Sequence, residues 1–342
     1  MPFSDVLIGW TFAVGNALSP IVRPIESGGE SIVSGLASVG LTAPLQLVNS
    51  AKEWMAANGS KHSDRLPLMN PFHVILIISL YLVIVISGKR IGANSSVPKL
   101  EVKQFALIHN LLMVALSAYM CLSILANAFF SKSSTGYRYG LWANPPDETE
   151  SGWSMAKVIW VFYFSKILEF NDTFIMIAKK NFRQVSFLHV YHHGSIFAVW
   201  WLVTFTAPTG EAYFSAALNS FIHVVMYGYY FCSAIGIKQV SFIKKYITMM
   251  QMTQFCLMMC QATYDIVHSF VIVPSLPAPQ PPFTSNSYPV YLSSILFFYM
   301  ISMLALFYNF YQADRRRERE ARKAGNANGA PKVGQNGKGK EE

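Results

Sequence analysis

Apolar residues gather into seven long runs, roughly 72–87, 105–130, 156–178, 186–206, 212–234, 246–270 and 290–311, separated by short polar loops. A helix needs about 20 predominantly apolar residues to cross the hydrocarbon layer, so this pattern predicts an all-α protein with seven membrane-spanning helices. Ahead of them the pattern is weaker. Val6–Val22 is apolar but holds Asn16, Ser19 and Pro20 behind an acidic lead-in, and is expected to be neither signal peptide nor span. Gly- and Ser-rich residues 27–40 read as a linker, and Leu45–Ala57 as a short interfacial helix. The expected layout is an N-terminal extension (1–60), a seven-helix domain (61–313) and a basic, disordered tail (314–342).

Charge adds a direction. Lys89, Arg90, Lys99 and Lys103 share one loop; Lys179, Lys180 and Arg183 another; Lys238, Lys244 and Lys245 a third; Arg315–Arg317 follow the last run. The alternate loops hold only Lys132 and Arg138, then no basic residue in 207–211 or 271–289. By the positive-inside rule the C-terminus is cytosolic and the N-terminus lies across the membrane. Pro274, Pro277, Pro279, Pro281 and Pro282 stiffen the loop before the last run. On this topology only the Asn58-Gly-Ser sequon faces a glycosylating lumen, and not Asn94-Ser-Ser. The tail ends Lys338-Gly-Lys340-Glu-Glu, similar to a dilysine retrieval signal of the endoplasmic reticulum.

Composition fits a polytopic membrane chain: 342 residues, 52% hydrophobic and 13% charged, against about 25% charged in soluble domains. Of the net charge of +9, the tail from Asp314 supplies +4, from nine basic and five acidic residues. That distribution suits topology and an anionic membrane surface rather than nucleic acid. Cys121, Cys232, Cys256 and Cys260 form no CxxC pair and read as small apolar residues.

Against this background the polar residues inside the runs stand out. His189, His192 and His193 fall at i, i+3 and i+4, on one helix face. Lys166, Glu169 and Thr173 share a face of the third run, flanked by Asp172. In the fifth, Asn219, His223, Met226 and Tyr230 recur at i, i+4, i+7 and i+11, with Tyr227 beside them; Gln251 and Gln254 stand one turn apart in the sixth. Ionisable groups in a span are costly and point to function. On the topology above these groups sit toward the cytosol while the lumenal halves, such as Ile196–Phe205 and Phe255–Met259, are apolar. A polar mouth over an apolar blind end suits a ligand with a charged head and a long apolar tail. Trp200, Trp201 and Phe205 are candidate wall residues.

HVYHH, KxxExxDT from Lys166, NxxxHxxMYxYY from Asn219 and QxxQF from Gln251 resemble the ELO family of very-long-chain fatty acid elongases over about residues 60–313, with Arg65-Leu-Pro-Leu-Met69 as a further match. The resemblance implies seven helices around a cytosol-facing active-site tunnel, and condensation of a long acyl-CoA with malonyl-CoA to 3-ketoacyl-CoA, CO2 and CoA. It implies no metal and no cofactor beyond these substrates. The partners it implies are membrane lipid, the other enzymes of the elongation cycle and a second copy of the chain. By resemblance His192 is the acyl acceptor, His189 and His193 orient or protonate neighbouring groups, and His223 assists malonyl decarboxylation or holds the thioester carbonyl. Chemistry agrees that an imidazole is a nucleophile at neutral pH and an acyl-imidazole is activated much as a thioester is. Lys166, Glu169 and Asp172 either set the histidines' protonation or hold the third helix against the fourth. Asn219, Gln251 and Gln254 are donors to carbonyl oxygens, with Tyr227 and Tyr230 alongside. Lys179, Lys180, Arg183, Lys244 and Lys245 are candidates for the CoA phosphates. Tyr191 within HVYHH resembles the branch that elongates polyunsaturated chains. Two other classes share single features: a di-iron desaturase uses HxxHH but needs further histidine boxes, and His62, His73, His109, His223 and His268 are scattered singly. A seven-span receptor or transporter shares only the helix count.

Overall fold

The computed structural model describes residues 2–40, 42–130, 139–278 and 285–328, and these are helical with connecting loops and no strand. Nine α-helices follow in order: α1 (Phe3–Ser38), α2 (Ala43–Asn58), α3 (Pro71–Ala93), α4 (Lys103–Phe129), α5 (Trp153–Ala178), α6 (Phe187–Thr206), α7 (Ala212–Ala234), α8 (Ile243–Val267) and α9 (Val290–Asn328). Each of the seven apolar runs lies on one of α3–α9. Lys132, Arg138, Pro279, Pro281, Pro282 and the dilysine-like tail lie outside the described residues.

Local chemistry fixes several boundaries. Asn70 caps α3 by accepting from the Phe72 amide at 2.9 Å, with Pro71 in the first turn. Ser186 caps α6 by accepting from the His189 amide, which starts the helix one turn before the histidines. α5 stops where Lys180 turns to φ +55° and the Asn181 amide bonds back to the Met176 carbonyl at 2.8 Å.

Among the described residues five helices are long and apolar enough to cross a membrane: α1, α3, α4, α9 and α8 with its extension to Ser275. The chain is an all-α, multi-pass membrane protein. α5, α6 and α7 are not among the five, because they carry the lysine, carboxylates, histidines and asparagine singled out above. They are instead the inner helices: α5 buries fourteen side chains, with Trp160, Tyr163 and Phe162 in the main core. α4 packs on α5 and α7, α6 on α5, α3 and α9, and α8 on α9 and α7.

Two faces of the bundle are tied by different loops. On one, the Ser60 amide bonds to the Phe205 carbonyl, the Asp147 amide to Thr209 Oγ1, and Tyr288 OH to the Ala207 carbonyl. On the other, Lys180 Nζ reaches the Asn94 carbonyl, Lys89 Nζ the Val185 carbonyl, and Lys244 pairs with Asp314. The second is the basic face; the first is called the loop face below. Two expectations at the ends are corrected. Residues 27–40 are not a linker: α1 is continuous to Ser38, its serines bonding back to carbonyls one turn earlier. The tail is not structureless from Asp314, since α9 continues to Asn328. α2 forms as a helix where one was expected.

Candidate active site

Lys166 and Glu169, each about 1% exposed, sit one turn apart on α5 in the middle of the bundle. Lys166 Nζ lies 2.7 Å from Glu169 Oε1, donates to Asn219 Oδ1 at 3.1 Å and stands 4.0 Å above the Phe162 ring. Glu169 Oε1 also meets His223 Nδ1 at 3.3 Å. Two residues of α7, Asn219 and His223, are thereby held to α5 by one ion pair. Asp172 anchors a second set: Tyr227 OH donates to Oδ2 at 2.6 Å, and His109 Nε2 lies 3.0 Å from Oδ1. His109, on α4, is a residue that sequence reasoning missed, because nothing around it in sequence marks it.

The three histidines of α6 have different surroundings. His189 Nε2 is 2.8 Å from Thr173 Oγ1, which also meets Tyr81 OH at 3.1 Å. His193 packs between His189 and His192 at ring separations of 4.4 and 5.4 Å, and its Nδ1 has no partner among the described residues. His192 faces a cavity, its Nδ1 3.4 Å from Tyr299 OH.

That cavity lies between α6, α7, α8 and α9 and holds about 780 Å³ of atom-free space, its open mouth included. His192, Asn219, Gln254 and Tyr299 stand at one end; Ile196, Val199, Trp200, Val203, Met258, Leu292 and Leu296 make apolar walls toward the loop face. Gln254 is 3% exposed and its Oε1 is unpartnered among the described residues. From His192 to Val203 the wall rises roughly 17 Å at 1.5 Å per residue.

The inner end differs from expectation. It is lined by Glu211, Ser215, Gln261, Asp265, Tyr288 and Ser293 rather than by apolar side chains. Glu211 accepts from the Asn144 amide, from Asn144 Nδ2 at 2.7 Å and from Gln261 Nε2 at 2.7 Å; Ser215 donates to Gln261 Oε1 at 2.9 Å. Burial raises the Glu211 carboxyl above its ordinary range even though these donors oppose the shift, and burial raises the Tyr288 hydroxyl well above its own. Gly210, at φ +61°, turns the chain here; a Cβ would come within 2.6 Å of the Asn144 carbonyl.

Other expected residues fall elsewhere. Gln251 contacts Met226 sulfur at 3.7 Å and does not line the cavity, nor does Tyr230, which is half exposed. Trp201 turns away: its Nε1 donates to the Met69 carbonyl at 3.0 Å and its ring stacks on Phe205, so of the three wall candidates only Trp200 lines the space. Tyr191 OH lies 3.1 Å from Ser302 Oγ on α9. Lys179, Arg183, Lys244 and Lys245 are exposed on the basic face, with Lys180 beside them bonded to Asn94. Among the described residues no cluster of three or more His, Cys, Asp or Glu side chains is arranged as a metal ligand set, and the four cysteines are free.

Imidazole and amide groups thus stand together at one end of a cavity with apolar walls. Comparison with known proteins gives the class. The GNS1/SUR4 (ELO) family model matches residues 66–323. Fatty acid elongase 6 of Leishmania major is 40% identical over 268 residues, covering 77% of this chain and 65% of that protein. Very long chain fatty acid elongase 5 of Xenopus tropicalis is 35% identical over 268 residues, covering 77% and 82%, and that of Homo sapiens 34% over 234, covering 68% and 70%. The chain belongs to the ELO family of fatty acid elongases, the acyltransferases that condense carbon units in fatty acid elongation.

Proposed function

We propose that the chain joins a long-chain, polyunsaturated acyl-CoA to malonyl-CoA through an acyl-histidine at His192. The observation that carries this is the placement of His192 beside Asn219 and Gln254 at the head of the apolar-walled cavity. A ring nitrogen of His192 attacks the thioester carbonyl; the C–S bond breaks, CoA leaves as thiolate and takes up a proton. Malonyl-CoA then loses CO2, and the resulting enolate carbon attacks the acyl-imidazole. The new C–C bond forms as the C–N bond breaks, which frees His192 and yields 3-ketoacyl-CoA. Asn219 Nδ2 donates to a carbonyl oxygen that gains charge, and Gln254 Nε2 does the same by giving up its long contact to Met258 sulfur at 3.8 Å. The buried Lys166–Glu169 pair fixes Asn219 and His223 in place, and His223 serves the malonyl half.

The reading extends to topology: α3–α9 are seven spans, the basic face is cytosolic and the loop face lumenal in the endoplasmic reticulum. CoA phosphates rest on Lys179, Lys180, Arg183, Lys244 and Lys245, and no metal or further cofactor takes part. A straight 18-carbon chain spans on the order of 20 Å, about two-thirds of the hydrocarbon thickness, slightly more than the apolar wall offers. Cis double bonds shorten and bend a chain, which suits a polyunsaturated substrate, as does Tyr191 in the histidine motif. Incubating purified protein with acyl-CoA alone tests the route: one equivalent of CoA per chain should be released in a burst, with the acyl group retained on His192. Absence of a burst, with turnover intact once malonyl-CoA is added, would replace the acyl-enzyme by direct attack in a ternary complex. A panel of acyl-CoAs with labelled malonyl-CoA decides the chain preference.

A further inference from the structure

α1 is long and apolar enough to cross a membrane, yet its contacts describe a different placement. Asp5 pairs with Lys157 at 2.7 Å, four residues into α5, and Glu26 accepts from Asn70 Nδ2 at 2.8 Å, where Asn70 is the cap of α3. α3 and α5 both begin on the loop face, so two points of α1 about 31 Å apart along its contour, with Pro20 and Pro24 between them, reach the same face of the bundle. A helix running through the bilayer beside α3 and α5 would carry Asp5 and Glu26 to opposite faces. Near its start α1 also leans inward: Ser4, Ile8 and Thr11 are buried, and Phe3 meets Tyr119 edge-on at 5.1 Å, in the half of α4 nearer the loop face. Past its end α1 turns back into α2, whose Lys52 pairs with Glu30 at 2.9 Å and whose Trp54 meets Tyr291 at the start of α9, again on the loop face.

The sequence of α1 is patterned for that position. At 100° per residue, Phe3, Val6, Trp10, Ile21, Ile25 and Ile32 fall within about 100° of one another, and each is exposed. Asp5, Glu26 and Glu30 lie on the opposite side, toward the bundle; Leu18 is exposed at the edge of the stripe and Phe12 outside it. The stripe runs from Phe3 to Ile32, about 44 Å along the helix, against about 30 Å of hydrocarbon. A crossing helix would need a tilt of about 47° to hide it, beyond the usual 0–40°.

We infer that α1 lies obliquely along a single leaflet, the one at the loop face, and packs its apolar stripe into lipid while Asp5, Glu26 and Glu30 strap it to α5, α3 and α2. On the same side of the membrane α3 exposes Ile75 near its start. With one arginine against three acidic residues in α1, the partner is an electrically neutral leaflet held by apolar contact rather than by anionic headgroups. The inference concerns placement alone and is independent of the condensation chemistry.

The test uses the full chain in neutral phosphatidylcholine bilayers, its four cysteines replaced by serine and folding confirmed by a cooperative thermal transition. A short bismaleimide should link Asp5→Cys to Lys157→Cys and, separately, Glu26→Cys to Asn70→Cys. Nitroxides at Val6→Cys and Ile25→Cys, about 28 Å apart along the helix, should report depths within one leaflet. Loss of either link, or nitroxides in opposite leaflets, overturns the placement and makes α1 a true span.

Discussion

The two ends of the cavity are both polar and both buried, yet they are built differently. At the inner end Glu211, Asn144, Gln261 and Ser215 use their donors and acceptors on one another, and the Ala143 amide meets Asp265 Oδ1 at 3.3 Å. At the outer end Gln254 Oε1 has no partner among the described residues, and His192 has one long contact. Buried polar groups are nearly always satisfied, so an open one that lines a cavity is a candidate ligand contact. A closed set is holding loops and helices together. The comparison teaches that satisfaction, more than polarity, separates chemistry from scaffolding here.

The sharpest way to break this contrast is His192→Ala. It should cut condensation by more than about 100-fold, about 3 kcal/mol in the barrier, and abolish the CoA burst. The thermal midpoint should fall by only a few degrees, since the side chain of His192 makes one long contact, to Tyr299 OH, and otherwise faces the cavity. Turnover surviving at wild-type level would remove it from the reaction.

Lys166→Met is expected next in size, and it acts on stability. It leaves Glu169 charged in the core without its lysine and with only His223 beside it, at a cost of about 3–5 kcal/mol. Replacing both partners by apolar residues, Lys166→Met with Glu169→Leu, should recover much of that stability. Turnover should stay low, because Asn219 and His223 lose the pair that orients them. Recovery of both together would reduce the pair to a packing device.

Glu211→Ala probes the closed end. Orphaning the Asn144 and Gln261 donors should cost about 1–3 kcal/mol in thermal stability and leave turnover per folded molecule within about threefold. The wild-type chain also binds a proton at Glu211 more tightly folded than unfolded. That contribution is complete below the ordinary glutamate range and is lost as pH rises through the raised value, so Glu211→Gln should flatten the stability–pH curve just above that range. A large loss of activity without loss of stability would move Glu211 into the chemistry.

The open end was legible in sequence because helical spacing alone groups His189, His192 and His193, or Lys166, Glu169 and Thr173. What the spacing could not give was contact between helices: His109 reaches Asp172 across α4 and α5, and only packing reveals it. The closed end was missed for the same reason. Glu211 sits in a five-residue loop, Asn144 in a loop 67 positions away, and Gln261 and Asp265 in a run that reads as apolar. α1 was misjudged differently. Its glycines and serines are weak helix formers, but the helix persists where ion pairs at Asp5 and Glu30 and the Glu26 bond hold it, so tertiary contacts override propensity.

The smallest expected effect on turnover rate lies in the wall between the two ends. Trp200 and Trp201 are neighbours with the same side chain, and sequence alone gave no means of choosing between them. In the folded chain Trp200 meets Phe162 at 4.4 Å between ring centroids and lines the cavity, whereas Trp201 bonds to the Met69 carbonyl and stacks on Phe205. Trp200→Ala should therefore widen the slot about two-thirds of the way down and move the product distribution toward longer chains, by about two carbons, with little change in initial rate. Trp201→Ala should leave the product lengths unchanged and instead lower stability by about 3–5 kcal/mol, as large-to-small changes in packed sites do. Gas chromatography of products from the two variants reads the difference directly. If Trp201→Ala were the one to lengthen products, the chain would run on the Met69 side of α6, and the polar inner end would no longer be the floor of the acyl site.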